Sequence, residues 1–125
     1  MSARVHECVR TFPNGDGVAA AAYLRVRNNS GNLALANSEH EELGVLERPM
    51  LAGDETAPVR FLAPDVSVRM VAGEAIAQYA DVYRFDGGKV GDTVSGDRLG
   101  IALEAASGDG SIIEVLPVKE APTLA

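Results

Sequence analysis

The sequence contains no tryptophan, and its only other aromatic residues are three tyrosines and three phenylalanines. Its core must therefore be filled mainly by small and branched aliphatic side chains, as in a compact β-barrel or β-sandwich. Cys8 is the only cysteine, which excludes an internal disulfide. No apolar run approaches the ~18 residues of a membrane span, and the N-terminus has no apolar segment typical of a secretory signal. We therefore expect no membrane partner.

Basic residues are also scarce. Lysine and arginine number 11 against 18 aspartate and glutamate residues, which gives a net charge of −7. The basic residues are spread along the chain, whereas binding to nucleic-acid phosphates depends on basic clusters. We expect no nucleic-acid partner. The length of 125 residues corresponds to one domain, which buries roughly two thirds of its unfolded surface in a single core.

Few residues could build a reactive site. His6, Cys8 and His40 could bind zinc, but a structural zinc site normally needs four ligands in closely spaced pairs. A nucleophilic Cys8 would need a histidine base and an orienting group, and neither histidine lies in a recognisable motif. Residues 15–20 (GDGVAA) fit G-x-G-x-x-A, but a dinucleotide site also requires alternating strands and helices. We expect no enzyme, no metal and no cofactor, and the role of Cys8 stays open.

The chain does contain an internal repeat. Residues 17–45 align on residues 73–101 without a gap, at an offset of 56 residues and with 8 identities in 29 pairs. The matched pairs include Tyr23 with Tyr79. Two copies of this length are too few for a solenoid. The repeat predicts two similar units that close against each other in one small domain.

Both copies show short strand patterns separated by glycine- and aspartate-containing turns. Residues 23–27 alternate between polar and apolar side chains before a turn at 28–32, and residues 81–85 precede a tight hairpin turn at 86–88. An alanine-rich start allows at most one or two short helices, at 17–24 or 72–78. The sequence therefore predicts an all-β fold, a small β-barrel or β-tulip-like domain with an extended N-terminal arm.

We divide the chain into an arm (1–16), one β domain (17–118) and a mobile tail (119–125). Within the domain, unit one spans about 17–62, a linking strand 63–72, and unit two about 73–118. An alternating arm can add a strand to the sheet edge of a partner. We assign partner binding to four arm residues: Val5, Glu7, Val9 and Thr11. We assign structural turn roles to seven further residues: Gly31, Gly44, Gly87, Gly88, Gly100, Gly108 and Asp109.

Residues 72–116 carry a recognisable order of motifs. The segment AGEAIAQYADVY is followed by DGGKV, then RLGIALEAA, then GDGSIIEV. This order resembles the small capsid cement, or head decoration, proteins of tailed phages. Residues 43–73 match the first half of that family more loosely. The chain departs from the family in its longer N-terminal lead and in Arg48-Pro49-Met50.

The resemblance implies a virion protein without catalysis. Proteins of this family sit on the outer face of an expanded head, commonly as trimers, and clamp neighbouring major capsid subunits. The implied partners are the major capsid protein and further copies of the chain in a homotrimer, made in the host cytoplasm and located on the capsid surface. An acidic exterior suits this place because it does not bind packaged DNA. The alternative is a cellular β-barrel adaptor or ligand-binding module, which predicts a concave pocket with convergent polar groups.

Overall fold

The computed structural model describes residues 9–63 and 66–118, which form two antiparallel sheets of five strands each. Sheet one contains β1 (Val9–Pro13), β2 (Arg25–Asn29), β3 (Asn32–Leu35), β4 (Gly44–Leu46) and β5 (Thr56–Arg60). Sheet two contains β6 (Val68–Val71), β7 (Asp81–Phe85), β8 (Lys89–Gly91), β9 (Gly100–Ala102) and β10 (Ile112–Pro117). In the described part, the helical element is one short 3₁₀ turn, Asp86–Gly88. The all-β prediction is confirmed.

The two sheets have the same topology. The strand order is β1-β5-β4-β2-β3 in sheet one and β6-β10-β9-β7-β8 in sheet two. Each strand of sheet two therefore has a counterpart five strands earlier in the chain. Tyr23 and Tyr79 both have positive φ angles, of 70° and 68°. Their N–H groups donate to Leu46 and Ala102, which are equivalent carbonyls of β4 and β9. The sequence repeat thus corresponds to a repeated backbone conformation.

Neither alanine-rich segment forms a helix. Ala20 exchanges two backbone hydrogen bonds of 2.8 Å with Met50. Ile76 exchanges two, of 3.1 and 2.8 Å, with Ala106 at the equivalent place in sheet two. These bridges hold both segments extended, because their backbone groups pair across the sheet and not within a helical turn.

The alignment of the two copies does contain a gap. The β2–β3 hairpin turns through two residues, Ser30 and Gly31, whereas the β7–β8 hairpin turns through three, Asp86–Gly88. Beyond the turn, Leu33 and Val90 occupy equivalent positions although they are 57 residues apart. The offset returns to 56 at β4 and β9 because β8 has three residues whereas β3 has four, and the loops that follow them are equal in length. The ungapped alignment is therefore wrong across β3 and β8.

Each sheet encloses its own apolar core of mostly small aliphatic side chains. The core of sheet one consists of Val26, Leu33, Leu46, Met50, Ala57 and Val59. The core of sheet two is larger and also includes Val45 from β4 of sheet one. Sheet two curls so that its edges meet at a parallel bridge between Ala72 and Val90, which gives it a barrel-like shape.

Two glycines that we assigned to turns lie inside strands. Gly44 belongs to β4 and Gly100 to β9. A Cβ atom on Gly44 would overlap the carbonyl oxygen of Arg60, and one on Gly100 would overlap that of Leu116. The assignment is corrected: these glycines permit a close approach of neighbouring strands.

The other assigned glycines lie in turns or bends. Gly31, Gly87 and Gly88 have φ angles of 91°, 76° and 78° in the two hairpin turns. Glycine adopts this region without steric cost. Gly108 and Asp109 lie in the bend and turn that precede β10.

Candidate partner-binding surfaces

The arm residues that the structure describes lie in an edge strand. Val9 and Thr11 belong to β1 and pair with Arg60 and Pro58 of β5. Val9 is half-buried and Thr11 is exposed. Strand β1 thus forms part of the chain's own sheet. Only the side of β1 that faces away from β5 is available for a contact with another molecule. The predicted tail at 119–125 lies outside the described residues, as do four candidate residues of the arm: Val5, His6, Glu7 and Cys8.

The two sheets meet where the β7–β8 hairpin packs against sheet one. The N–H of Gly88 donates to the carbonyl of Ala36 at 2.9 Å. The N–H of Gly87 donates to Asn37 Oδ1 at 3.0 Å. A Cβ atom on Gly88 would lie 2.9 Å from the carbonyl oxygen of Arg25. The hairpin therefore approaches sheet one so closely that only glycine fits at this position.

Asp86 extends this contact at the tip of the hairpin. Its Oδ1 accepts a hydrogen bond of 2.9 Å from the backbone N–H of Ser38 in sheet one. This hydrogen bond is the main cause that lowers the pKa of Asp86 below its ordinary value. The charged form of Asp86 therefore favours the contact between the sheets.

Arg25 lies at the start of β2, fully buried beneath the hairpin. Its Nε donates to the carbonyl of Lys89 at 2.9 Å, and its Nη2 donates to Phe85 at 2.6 Å and to Ala36 at 3.2 Å. Its Nη1 donates to Glu42 Oε1 at 3.1 Å. Burial lowers the pKa of Arg25, and the nearby Glu42 carboxylate opposes this effect. The guanidinium replaces its lost hydration with four hydrogen bonds, two of which cross between the sheets.

Glu42 is the counter-charge of this buried site. Its Oε1 also accepts a hydrogen bond of 2.9 Å from Arg84 Nε, and its Oε2 accepts one of 3.2 Å from Arg84 Nη2. Arg84 belongs to β7, so Glu42 joins a cation of its own sheet to a cation of the other sheet. Removing one member of a buried ion pair is costly because the remaining charge loses its partner. The buried cluster Arg25–Glu42–Arg84 therefore holds the two sheets in one arrangement.

A groove of about 330 Å³ lies between the two sheets. Its lining side chains from sheet one include Tyr23, Val45 and Glu47. Residues 67–69 line it from sheet two. Within the groove, Glu47 accepts hydrogen bonds from Arg60 at 3.1 and 2.7 Å. Two of the charged groups that line the groove, Glu47 and Arg60, thus already bind each other.

The counterpart of the Arg25–Glu42 pair in sheet two has reversed charges. Asp81 occupies the position of Arg25, and Arg98 occupies that of Glu42, each 56 residues later. Arg98 Nη1 donates to Asp81 Oδ1 at 3.0 Å. The side chain of Asp81 is 50% exposed, whereas that of Arg25 is 0% exposed. The same position in the repeat is therefore buried in one sheet and open in the other.

The ion pairs of Glu42 with Arg25 and Arg84 were not predicted from the sequence. The ungapped alignment already placed Arg25 against Asp81 and Glu42 against Arg98. Such a double reversal of charge at two aligned positions is the signal that could have revealed a paired site.

Within residues 9–63 and 66–118, no group of three or more His, Cys, Asp or Glu side chains is placed to hold a metal ion. His40 accepts a hydrogen bond of 3.1 Å at Nδ1 from the backbone N–H of Asn37. The same part of the chain contains no helix with the length and hydropathy of a membrane span.

No family model matches the sequence, and no curated protein matches it. One solved structure with the same fold is the crystal structure of the N base of the head fiber protein gp8.5 of bacteriophage phi29. The match has a TM-score of 0.74 at 16% sequence identity and covers 93% of this chain and 98% of that chain. At this identity the likeness establishes a shared fold, and it extends over almost the whole length of both chains.

Proposed function

We propose that this protein is a structural component of a phage head. In this proposal it is a decoration, or cement, protein that binds the outer surface of the expanded capsid and stabilises contacts between major capsid subunits. The observation that carries the proposal is the fold match, over 93% of the chain, to a protein named as the base of a phage head fiber. The resemblance of residues 72–116 to cement proteins points independently to the same class.

The net charge of the chain and the ion pairs between its two sheets support this role. A net charge of −7 disfavours adhesion to packaged DNA. The buried cluster Arg25–Glu42–Arg84 joins the two sheets by ion pairs. A clamp between capsid subunits needs a body whose parts keep one arrangement, and it needs no reactive group. The proposed protein is accordingly non-enzymatic and assembles as a homotrimer on the virion.

The alternative of a ligand-binding module depends on a concave pocket that is mostly apolar with a few convergent polar groups. The groove between the sheets contains the paired side chains of Glu47 and Arg60, which already satisfy each other. This observation favours a structural role over small-molecule binding.

The proposal is tested by mixing the purified protein with expanded, undecorated phage heads and separating bound from free chain by sedimentation. We expect saturable binding with a fixed number of copies per head. Unexpanded heads from the same preparation are the control, and they should bind fewer copies. Bound protein should also raise the temperature at which the heads release DNA. Absence of saturable binding to expanded heads would refute the proposal.

The arm remains part of the proposal as a capsid or neighbour contact. Because β1 begins at Val9, deletion of residues 2–8 keeps this strand, whereas deletion of residues 2–12 removes most of it. We expect the shorter deletion to weaken head binding while the circular dichroism spectrum stays unchanged. An unchanged affinity would remove residues 2–8 from the binding surface.

A further inference from the structure

The contact between the two sheets is head-to-tail, because different surfaces of the two equivalent sheets meet. Sheet one contributes what we term the receiving face, composed of Tyr23, Arg25 and Val45. Sheet two contributes the projecting face, composed of residues 67–69 and the hairpin at 85–89. Each sheet carries both faces by virtue of the repeat. One receiving face and one projecting face are therefore left uncovered by the other sheet.

The uncovered receiving face belongs to sheet two. Its residues Tyr79, Asp81 and Ile101 are the counterparts of Tyr23, Arg25 and Val45 at an offset of 56. Val45 is 1% exposed, because it is packed into the core of sheet two, but Ile101 is only half-buried. Tyr79 is 68% exposed, whereas Tyr23 is half-buried in the groove. Tyr79 and Ile101 are thus each more exposed than the equivalent residue of sheet one.

The uncovered projecting face belongs to sheet one. The pairing of β1 with β5 and of β6 with β10 makes residues 9–11 the counterparts of residues 67–69. The hairpin at 29–32 is the counterpart of the hairpin at 85–89. Arg10 and Thr11 are exposed. This face also contains Val9 and Thr11, the two described residues of the predicted arm contact.

The two uncovered faces differ in charge from the faces that meet within the chain. The receiving face of sheet two carries Asp81 in place of the buried Arg25, and it is half exposed. The projecting face of sheet one carries Arg10 in place of Val68. Asp81 is paired with Arg98 on its own sheet at 3.0 Å, so Arg10 adds only a longer-range attraction, and the main support for the contact is its equivalence to the contact between the sheets within one chain.

We infer that these two faces bind each other between copies of this chain, with the receiving face of sheet two docked on the projecting face of sheet one in the next copy. Such a heterologous contact produces a closed ring when its rotation closes. The interface would continue the contact already formed between the sheets within one chain. The inference rests on the self-association in the proposed function. Its test uses only the isolated protein, so it can fail or succeed independently of head binding.

The test uses one substitution on each face. Tyr79→Asp places a charge on the receiving face of sheet two at a positive φ that aspartate tolerates. Thr11→Glu places a charge on the exposed side of β1 in sheet one. The matched control is Leu51→Arg, which replaces an exposed apolar residue that belongs to neither face. The mass of each protein in solution is measured by size-exclusion chromatography with light scattering, and its fold by circular dichroism.

The wild type and Leu51→Arg should form the same oligomer. Tyr79→Asp and Thr11→Glu should each raise the dissociation constant at least about 30-fold, the effect of losing an interface hot spot. An equimolar mixture of the two variants should form a dimer, because one chain retains an intact receiving face and the other an intact projecting face. A wild type that stays monomeric, or a mixture that stays monomeric, would overturn the inference. Should Tyr79→Asp lose its folded spectrum, Ile101→Glu replaces it in the same scheme.

Discussion

Replacing Glu42 with glutamine should lower the free energy of unfolding far more than removing a charge at the protein surface does. The substitution keeps the shape of the side chain but removes the charge that lies 3.1 Å from Arg25 and 2.9 Å from Arg84. Because Arg25 is fully buried, its guanidinium cannot regain water unless the β7–β8 hairpin separates from sheet one. Loss of one partner from a buried ion pair typically costs about 3–5 kcal/mol.

The expected shift in melting temperature follows from the size of the chain. A folded chain of this length has an unfolding entropy of about 0.26 kcal/mol per kelvin, so a loss of 3–5 kcal/mol lowers Tm by about 11–19 °C. The assay is thermal unfolding followed by circular dichroism at pH 7 and constant protein concentration. Urea unfolding of the same samples gives the free energy of unfolding without reliance on the entropy value.

The repeat supplies a matched control. Asp81→Asn makes the same carboxylate-to-amide change in the equivalent ion pair, whose carboxylate is half exposed. Arg98 is 9% exposed but keeps its hydrogen bond of 3.2 Å to the carbonyl of Val118, and the acidic partner is open to water. Pairs open to solvent contribute about 0.2–1 kcal/mol, so this variant should lower Tm by about 4 °C, well below the shift for Glu42→Gln. Equal shifts in Tm for the two variants would show that burial beneath the β7–β8 hairpin does not set the strength of the Glu42 interactions. The buried cluster Arg25–Glu42–Arg84 would then not be what holds the two sheets together.

Two further predictions concern close backbone contacts and acid stability. Gly44→Ala should lower the free energy of unfolding, measured by urea unfolding, by about 1–3 kcal/mol, because its Cβ would overlap a carbonyl oxygen of β5. The control Gly108→Ala, with no atom within 4 Å of the new Cβ, should change this free energy by no more than about 0.5 kcal/mol. Asp86 has a lowered pKa, so its hydrogen bond to Ser38 stabilises the fold fully above the ordinary aspartate range and loses this effect as pH falls through the lowered value. The Tm advantage of the wild type over Asp86→Asn should therefore be constant near neutral pH and shrink as the solution is acidified below the ordinary aspartate range, and an advantage that grows on acidification would contradict the assigned role of the carboxylate.

Much of the architecture could be predicted from local patterns. The hairpin at Asp86–Gly88 follows from a strand pattern that ends at an aspartate and two glycines, which have the backbone freedom that a tight turn demands. The repeat also follows from the sequence, because residues 17–45 and 73–101 share eight identities in 29 pairs, and the matched Tyr23 and Tyr79 have the same positive φ in the structure. These features depend on residues close together in the chain.

Other features could not be predicted from the sequence because they depend on residues that are distant in the chain. Gly44 and Gly100 look like turn residues in the sequence, and only the approach of β5 and β10 shows why a side chain is not tolerated there. The offset across β3 changes because one hairpin has an additional residue, which an ungapped comparison cannot reveal. The segment around Val9 reads as a free arm, yet its backbone pairs with β5.

The amino-acid sequence by itself determined an all-β chain with two similar halves, because turn glycines and alternating apolar residues act over a few positions. Only the tertiary structure decided which of two equivalent ion pairs is buried. Arg25 and Asp81 occupy the same place in the repeat, but the hairpin of sheet two covers Arg25 and nothing in the described chain covers Asp81 in the same way. The burial of a residue depends on what packs against it. Ion pairs at identical positions of the two copies therefore differ in strength and in role.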